Sequence, residues 1–126
     1  MAYSPLKRRS MPIPVEPTVY YTPPLAKASG GNTYYFEFPW NNGKLVYADA
    51  TVTTTAGTED LDITITDGTT TGFEVTVVTD GAIGVQYDGV LSNYISFAQG
   101  DTITITTTDS ANAGAAAVRL FFESDH

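Results

Sequence analysis

Three glutamates, Glu37, Glu74 and Glu123, fall on the outward phase of alternating apolar and polar stretches. A pair of carboxylates at a fixed separation is what glycoside hydrolysis requires, so such acids are the first residues to weigh for catalysis. Their ordinary role on a strand is to keep one face solvated. The single histidine, His126, is the last residue, and a frayed terminus cannot hold a general base in place. The chain has no cysteine, which excludes thiol nucleophiles, disulfides and thiolate metal sites. Asp60 and Asp62 share a strand face, and Asp67, Asp80, Asp88 and Asp109 sit at turns. Clustered carboxylates can bind calcium. Asp-Gly pairs are also what tight turns require, and no D-x-D-x-D-G run occurs. Trp40, Tyr47, Tyr87 and Tyr94 could stack on sugar rings, although aromatics in a β-sandwich serve more often in the core or at interfaces. The expectation is a protein with no catalytic residues, no metal, no cofactor and no small-molecule substrate.

The elements that position these residues follow a period of two from Thr33 onward. "TYYFEF" puts Tyr34, Phe36 and Phe38 on one face, and "LVYADATVT" puts Val46, Ala48, Ala50 and Val52 together. "LDITIT", "FEVTVVT", "IGVQY", "VLSNYISFA", "TITITTT" and "AAVRLFFES" continue the alternation, with "NNG", "DG" and "QGD" turns between. No stretch has helical periodicity. The predicted core is Leu61, Ile63, Ile65, Phe73, Val75, Val77, Ile103, Ile105, Val118, Leu120 and Phe122. Short alternating strands at this spacing predict an all-β fold, an antiparallel β-sandwich that is jelly-roll-like with about eight strands. Tyr35, Tyr47, Val78 and Phe121 are large apolar groups on the outward phase, and are expected at an oligomer interface.

The first 24 residues obey different rules. They hold six of the seven prolines and the cluster Lys7, Arg8, Arg9. Proline at this density prevents helix and central strand and favours an extended, polyproline-like state. Two parts are therefore expected: an extended basic arm over residues 1–30 and a sandwich over 31–126. The net charge of −8 divides unevenly. Lys7, Arg8, Arg9 and Lys27 against Glu16 leave residues 1–27 at +3; Lys44 and Arg119 against thirteen acids leave residues 28–126 at −11. A basic arm on an acidic body is drawn to acidic protein surfaces, another copy included. The acidic body argues against nucleic acid as partner. No apolar run approaches the ~20 residues that span a bilayer, and the N-terminus lacks the apolar stretch of a secretory signal. Twenty threonines and few lysines cover the strands, a surface suited to lying against neighbouring protein.

An extended arm, "MAYSPLKRRSMPIPVEPTVYYTPPLAK", on an acidic, Thr-rich β-domain with strands such as "ISFAQGDTITI" resembles the capsid decoration, or cement, proteins of tailed bacteriophages. The resemblance lies in the whole layout. It implies a homotrimer bound to the major capsid protein on the capsid surface of a virion, after synthesis in the host cytoplasm, that stabilises the assembled shell. On this reading the arm residues Lys7, Arg8, Arg9, Pro12, Pro14, Tyr20, Tyr21 and Lys27 make the attachment. The alternative is a carbohydrate-binding or adhesin-like sandwich of a head fibre, tail or surface protein.

Overall fold

The computed structural model describes residues 18–26, 32–55, 60–78, 81–107 and 114–124. Among the described residues eleven strands are formed: β1 (Thr18–Tyr21), β2 (Leu25–Ala26), β3 (Asn32–Glu37), β4 (Asn42–Thr54), β5 (Leu61–Thr66), β6 (Thr71–Val77), β7 (Gln86–Asp88), β8 (Val90–Leu91), β9 (Ile95–Ala98), β10 (Thr102–Thr107) and β11 (Ala115–Glu123). No helix occurs among the described residues. One sheet has the order β1-β11-β4-β7, with β2 on β11 and β9 on β4; the other has the order β3-β10-β5-β6-β8. Every pairing is antiparallel.

β7 and β9 are one strand interrupted. Both lie along β4, at Asp49–Thr51 and Asn42–Leu45, and between them Val90–Leu91 cross over to pair with β6 of the other sheet. With that strand counted once and the two-residue pieces β2 and β8 set aside, eight strands remain, and their pairing is nested. β1 pairs with β11, β3 with β10, β4 with β7 and β9, and β5 with β6. This is an antiparallel ribbon folded in half at the Asp67–Thr70 turn and wrapped into two sheets, which is the jelly roll. The turn suits its place. Asp67 Oδ1 accepts hydrogen bonds from the Thr69 and Thr70 amides at 3.0 and 2.7 Å, and Gly68 has a φ of 104°.

All eleven predicted core residues are buried between the sheets. Two expectations are corrected. The first is the boundary at residue 30. Thr18–Tyr21 pair with Phe122–Arg119, Leu25 is buried, and Tyr20 packs edge-on against Phe36 at 5.9 Å. Residues 18–26 therefore belong to the sandwich, as the strands β1 and β2. Their prolines, Pro23 and Pro24, sit between β1 and β2 on the outside of the sheet, where no neighbouring strand asks for an amide hydrogen. The second is the phase of β4. A register shift opposite Phe121 and Phe122 turns Leu45 inward and leaves Val46 half-buried, after which Ala48, Ala50 and Val52 resume the core face.

The sandwich end beyond β4 and β11 is filled by rings. Phe38 is fully buried and stacks on Phe97 at 5.7 Å, while Phe122 meets it edge-on at 5.0 Å. Gly43 is required there, because a Cβ would stand 2.8 Å from Phe38 Cζ.

Candidate functional site

The strand phases give the two outer faces different chemistry. Outside the second sheet stand Thr33, Thr102, Thr104, Thr106, Thr64 and Thr76, in register across β3, β10, β5 and β6. Its charged side chains in these strands are the acids Glu37, Asp62 and Glu74; lysine and arginine are absent from these four strands. Tyr35 rises from this face at the free edge of the sheet and is 70 % exposed.

Outside the first sheet stands a mixed aromatic and ionic cluster. Asp49 on β4 is fully buried although it faces outward. Arg119, its register partner on β11, covers it with a two-pronged contact: Nε donates to Oδ1 at 2.9 Å and Nη2 to Oδ2 at 2.5 Å. Gln86 Nε2 donates to Oδ2 at 2.6 Å from the other side. The guanidinium, held charged more firmly by those hydrogen bonds, lies 5.2 Å from the Phe121 ring centroid. Phe121 packs on Tyr47 at 5.2 Å, and the Tyr47 hydroxyl donates to Asp88. Burial, that hydrogen bond, and the charges of Asp49 and Asp88 push the Tyr47 phenol up to about 12. Tyr21 is beside Arg119 in register and 67 % exposed.

Of the four expected interface residues, Tyr47 and Phe121 are therefore brought together, half-buried, on one face. Tyr35 stands on the opposite sheet, and Val78 lies just past β6, 44 % exposed. Ile83, Val85, Val90 and Leu91 are further exposed aliphatic groups, Val85 beside Val52 of β4 and Leu91 beside Phe73 of β6. Of the expected arm residues, Tyr20 is packed between the sheets and Tyr21 is on the surface of the first. Lys7, Arg8, Arg9, Pro12, Pro14 and Lys27 lie outside the described residues.

The acids weighed for catalysis are dispersed. Glu123 is on the first sheet; Glu37 and Glu74 are on the second, where β10 and β5 separate their strands by roughly 14 Å at ordinary spacing, and Glu74 is in register with Thr33 and not with Glu37, so the two acids stand farther apart than that. Among the described residues, no group of three His, Cys, Asp or Glu stands close enough to hold a metal ion. Asp62 accepts from Thr76 and Asp67 closes its own turn, so both have structural work. The aromatics weighed for sugar stacking share no platform. Tyr87 turns inward opposite Ala50, Tyr94 carries the Lys44 ammonium 5.2 Å from its ring centroid, and Trp40 contacts Phe38, Phe122 and Tyr20.

One pocket, of about 180 Å³, opens at this aromatic end, lined by Thr18, Phe38, Trp40, Asn41, Phe122 and Glu123 among others. Sequence reasoning reached Trp40 as a surface aromatic. It missed the pocket, because Thr18 and Glu123 come to Trp40 only through the β1–β11 pairing. Asp49 and Arg119 were missed for the same reason: each is an unremarked charge on its own strand. In comparisons with known proteins, no family model, no curated protein and no solved structure matches the chain.

Proposed function

We propose that this chain is a structural virion protein that binds the outside of an assembled phage capsid and stabilises it, using residues 1–17 for attachment. The observation that carries the reading is that the nested pairing of eight strands closes from Thr18 onward. Residues 1–17 precede that pairing in the sequence, are basic and proline-rich, and carry Lys7, Arg8 and Arg9 against Glu16. A second support is the threonine-covered outer face of one sheet, whose charged groups are acids alone and whose threonines lose little side-chain entropy when another protein lies on them. Stabilisation would follow from mass action: a protein that binds the assembled shell and not its loose subunits favours the shell. Repeated sites on the shell would raise a modest affinity for a multivalent protein.

The test is to look for a major capsid protein gene beside this chain's gene and to assemble shells from its product. The full chain should co-sediment with them, and a chain lacking residues 1–17 should not, at unchanged β-sheet circular dichroism. Equal binding by both would remove the arm from the proposal; no binding by the full chain would remove the capsid.

A carbohydrate-binding reading is favoured by the pocket beside Trp40. It is smaller than the roughly 300–1,000 Å³ of most ligand pockets. A glycan-array signal abolished by Asn41→Ala would place that reading first.

A further inference from the structure

Thr18, the first described residue, is itself part of the wall of the Trp40 pocket. The bond that joins Thr18 to the preceding sequence therefore lies at that rim. This side of the molecule is aromatic. Tyr20 on β1 meets Phe36 on β3 at 5.9 Å and Trp40 at 6.1 Å, and Tyr21 and Tyr35 stand exposed on the same two edge strands. Grooves lined with aromatic rings are what proline-rich segments recognise, because a proline ring packs flat on them and an already extended chain loses little entropy on docking. Among the residues lining the pocket only Glu123 is charged, and it is acidic.

We propose that this pocket receives the segment "MPIPVEP", residues 11–17, of a second copy of the chain, with Lys7, Arg8 and Arg9 of that copy running toward Glu123 and Glu37. The same segment of the same chain is a poor occupant. Pro14 is four residues from Thr18, so to enter the pocket that Thr18 itself lines the segment would have to reverse within those four residues and give up the extended state its prolines favour. It can reach a neighbour. Seventeen residues at about 3.1 Å each extend roughly 53 Å, against a radius of gyration of about 13 Å for a domain of ~100 residues. Each copy offers one segment and one pocket, so the exchange links copies through a self-complementary pair or a closed ring. The inference rests on the reading of residues 1–17 as an attachment arm, and assigns that arm a partner on the neighbouring copy.

Trp40 is the only tryptophan, so the pocket carries its own probe. The experiment follows Trp40 emission and sedimentation of the full-length chain across concentration, beside a full-length variant with residues 11–17 replaced by Gly and Ser. In the wild type, emission should move to the blue as copies associate. In the variant, emission should stay fixed and association should weaken by about tenfold or more, with circular dichroism unchanged. Glu123→Gln should keep the blue shift, move it to higher concentration and reduce its sensitivity to salt. Emission independent of concentration in both chains overturns the proposal. So does an emission change in the variant that ignores concentration, which would mean the chain fills its own pocket. A response to added glycans, equal in both chains and without association, overturns it in favour of a sugar. A variant that associates as the wild type does but fails to sediment with shells overturns this inference and leaves the capsid reading standing; arm exchange without any shell binding does the reverse.

Discussion

Asp49 is a carboxylate on the solvent side of a sheet that solvent does not reach. A charge in that position persists only if its partners satisfy it, and Arg119 and Gln86 do so with three hydrogen bonds of 2.5 to 2.9 Å. Removing one partner is costly because the other stays buried. Arg119→Met should lower stability by about 3 kcal/mol, at the low end for a buried pair because Arg119 is itself about a third exposed. The double variant Asp49→Leu with Arg119→Met should recover most of that loss, since both charges are gone. Urea unfolding of the wild type, Asp49→Leu, Arg119→Met and the double variant measures this, and a double variant as weak as Arg119→Met would mean that the pair contributes net stability. Tyr47, two residues along, makes a pH-dependent prediction. Its folded phenol titrates near 12, above the usual value of about 10. The folded state thus holds a proton that the unfolded state releases. Its contribution to stability is fully present below pH ~10 and is lost as pH rises toward 12. Phenolate absorbance should show one tyrosine titrating later than the exposed ones, and Asp88→Asn should bring that titration earlier. The outward phase of Tyr47 and Phe121 was legible in the alternation. Their contact was not, because nothing in either strand says that β4 and β11 are neighbours.

At the scale of elements, alternation identified strands and misjudged their ends. β5, β6 and β10 read correctly because isoleucine, valine and phenylalanine alternate with threonine and acid, and β11 because Val118, Leu120 and Phe122 recur at every second position. β4 defeated the rule at one point, where a bulge opposite Phe121 and Phe122 exchanges Leu45 for Val46 on the core face. A bulge leaves no mark in hydrophobic alternation except an ambiguity: "LVY" offers a core residue in either phase. β1 was hidden by its surroundings. "TVYY" is a good strand sequence, but six prolines nearby made it read as arm. Prolines are compatible with it because β1 and β2 form an edge, and Pro23 and Pro24 keep that edge from pairing with another chain. Close packing at the strand ends gives a sharp test. Gly43 on β4 leaves room for the Phe38 ring, which is fully buried among Trp40, Phe97 and Phe122. Gly43→Ala should force that ring aside and cost about 1–3 kcal/mol. Ile105→Ala, in the middle of β10 and fully buried, should cost about 2–5 kcal/mol by leaving a cavity instead. Thermal melting distinguishes them from surface changes. If Gly43→Ala melts as the wild type does, the ring cluster is looser than its centroid distances state.

For the whole molecule, the nested pairing orders the strands by how far apart in sequence their partners lie. β5 and β6 meet across a four-residue turn, whereas β1 and β11 join Thr18 to Phe122. Closing the outermost pair brings together nearly the full length of the chain, and loop entropy makes such a pair the last to gain from folding. That pair nonetheless does two jobs. It covers one side of β11, and it brings Tyr20 onto Phe36 and Trp40 and Leu25 into the core. Two truncations that look similar in sequence should therefore behave differently. Removing residues 1–17 deletes no strand and no buried side chain of the described sandwich, so its circular dichroism and melting temperature should match those of the full chain. Removing residues 1–26 takes away Leu25, whose burial alone is worth about 2–5 kcal/mol by comparison with leucine truncations in other cores. It also uncovers β11, an apolar strand whose amides and carbonyls would then offer an edge to another chain. The longer truncation should melt lower and aggregate on heating, with Trp40 emission moved to the red because its Tyr20 neighbour is gone. Equal melting of the two truncated chains would show that β1 is an appendage of the arm, and would return the domain boundary to residue 30.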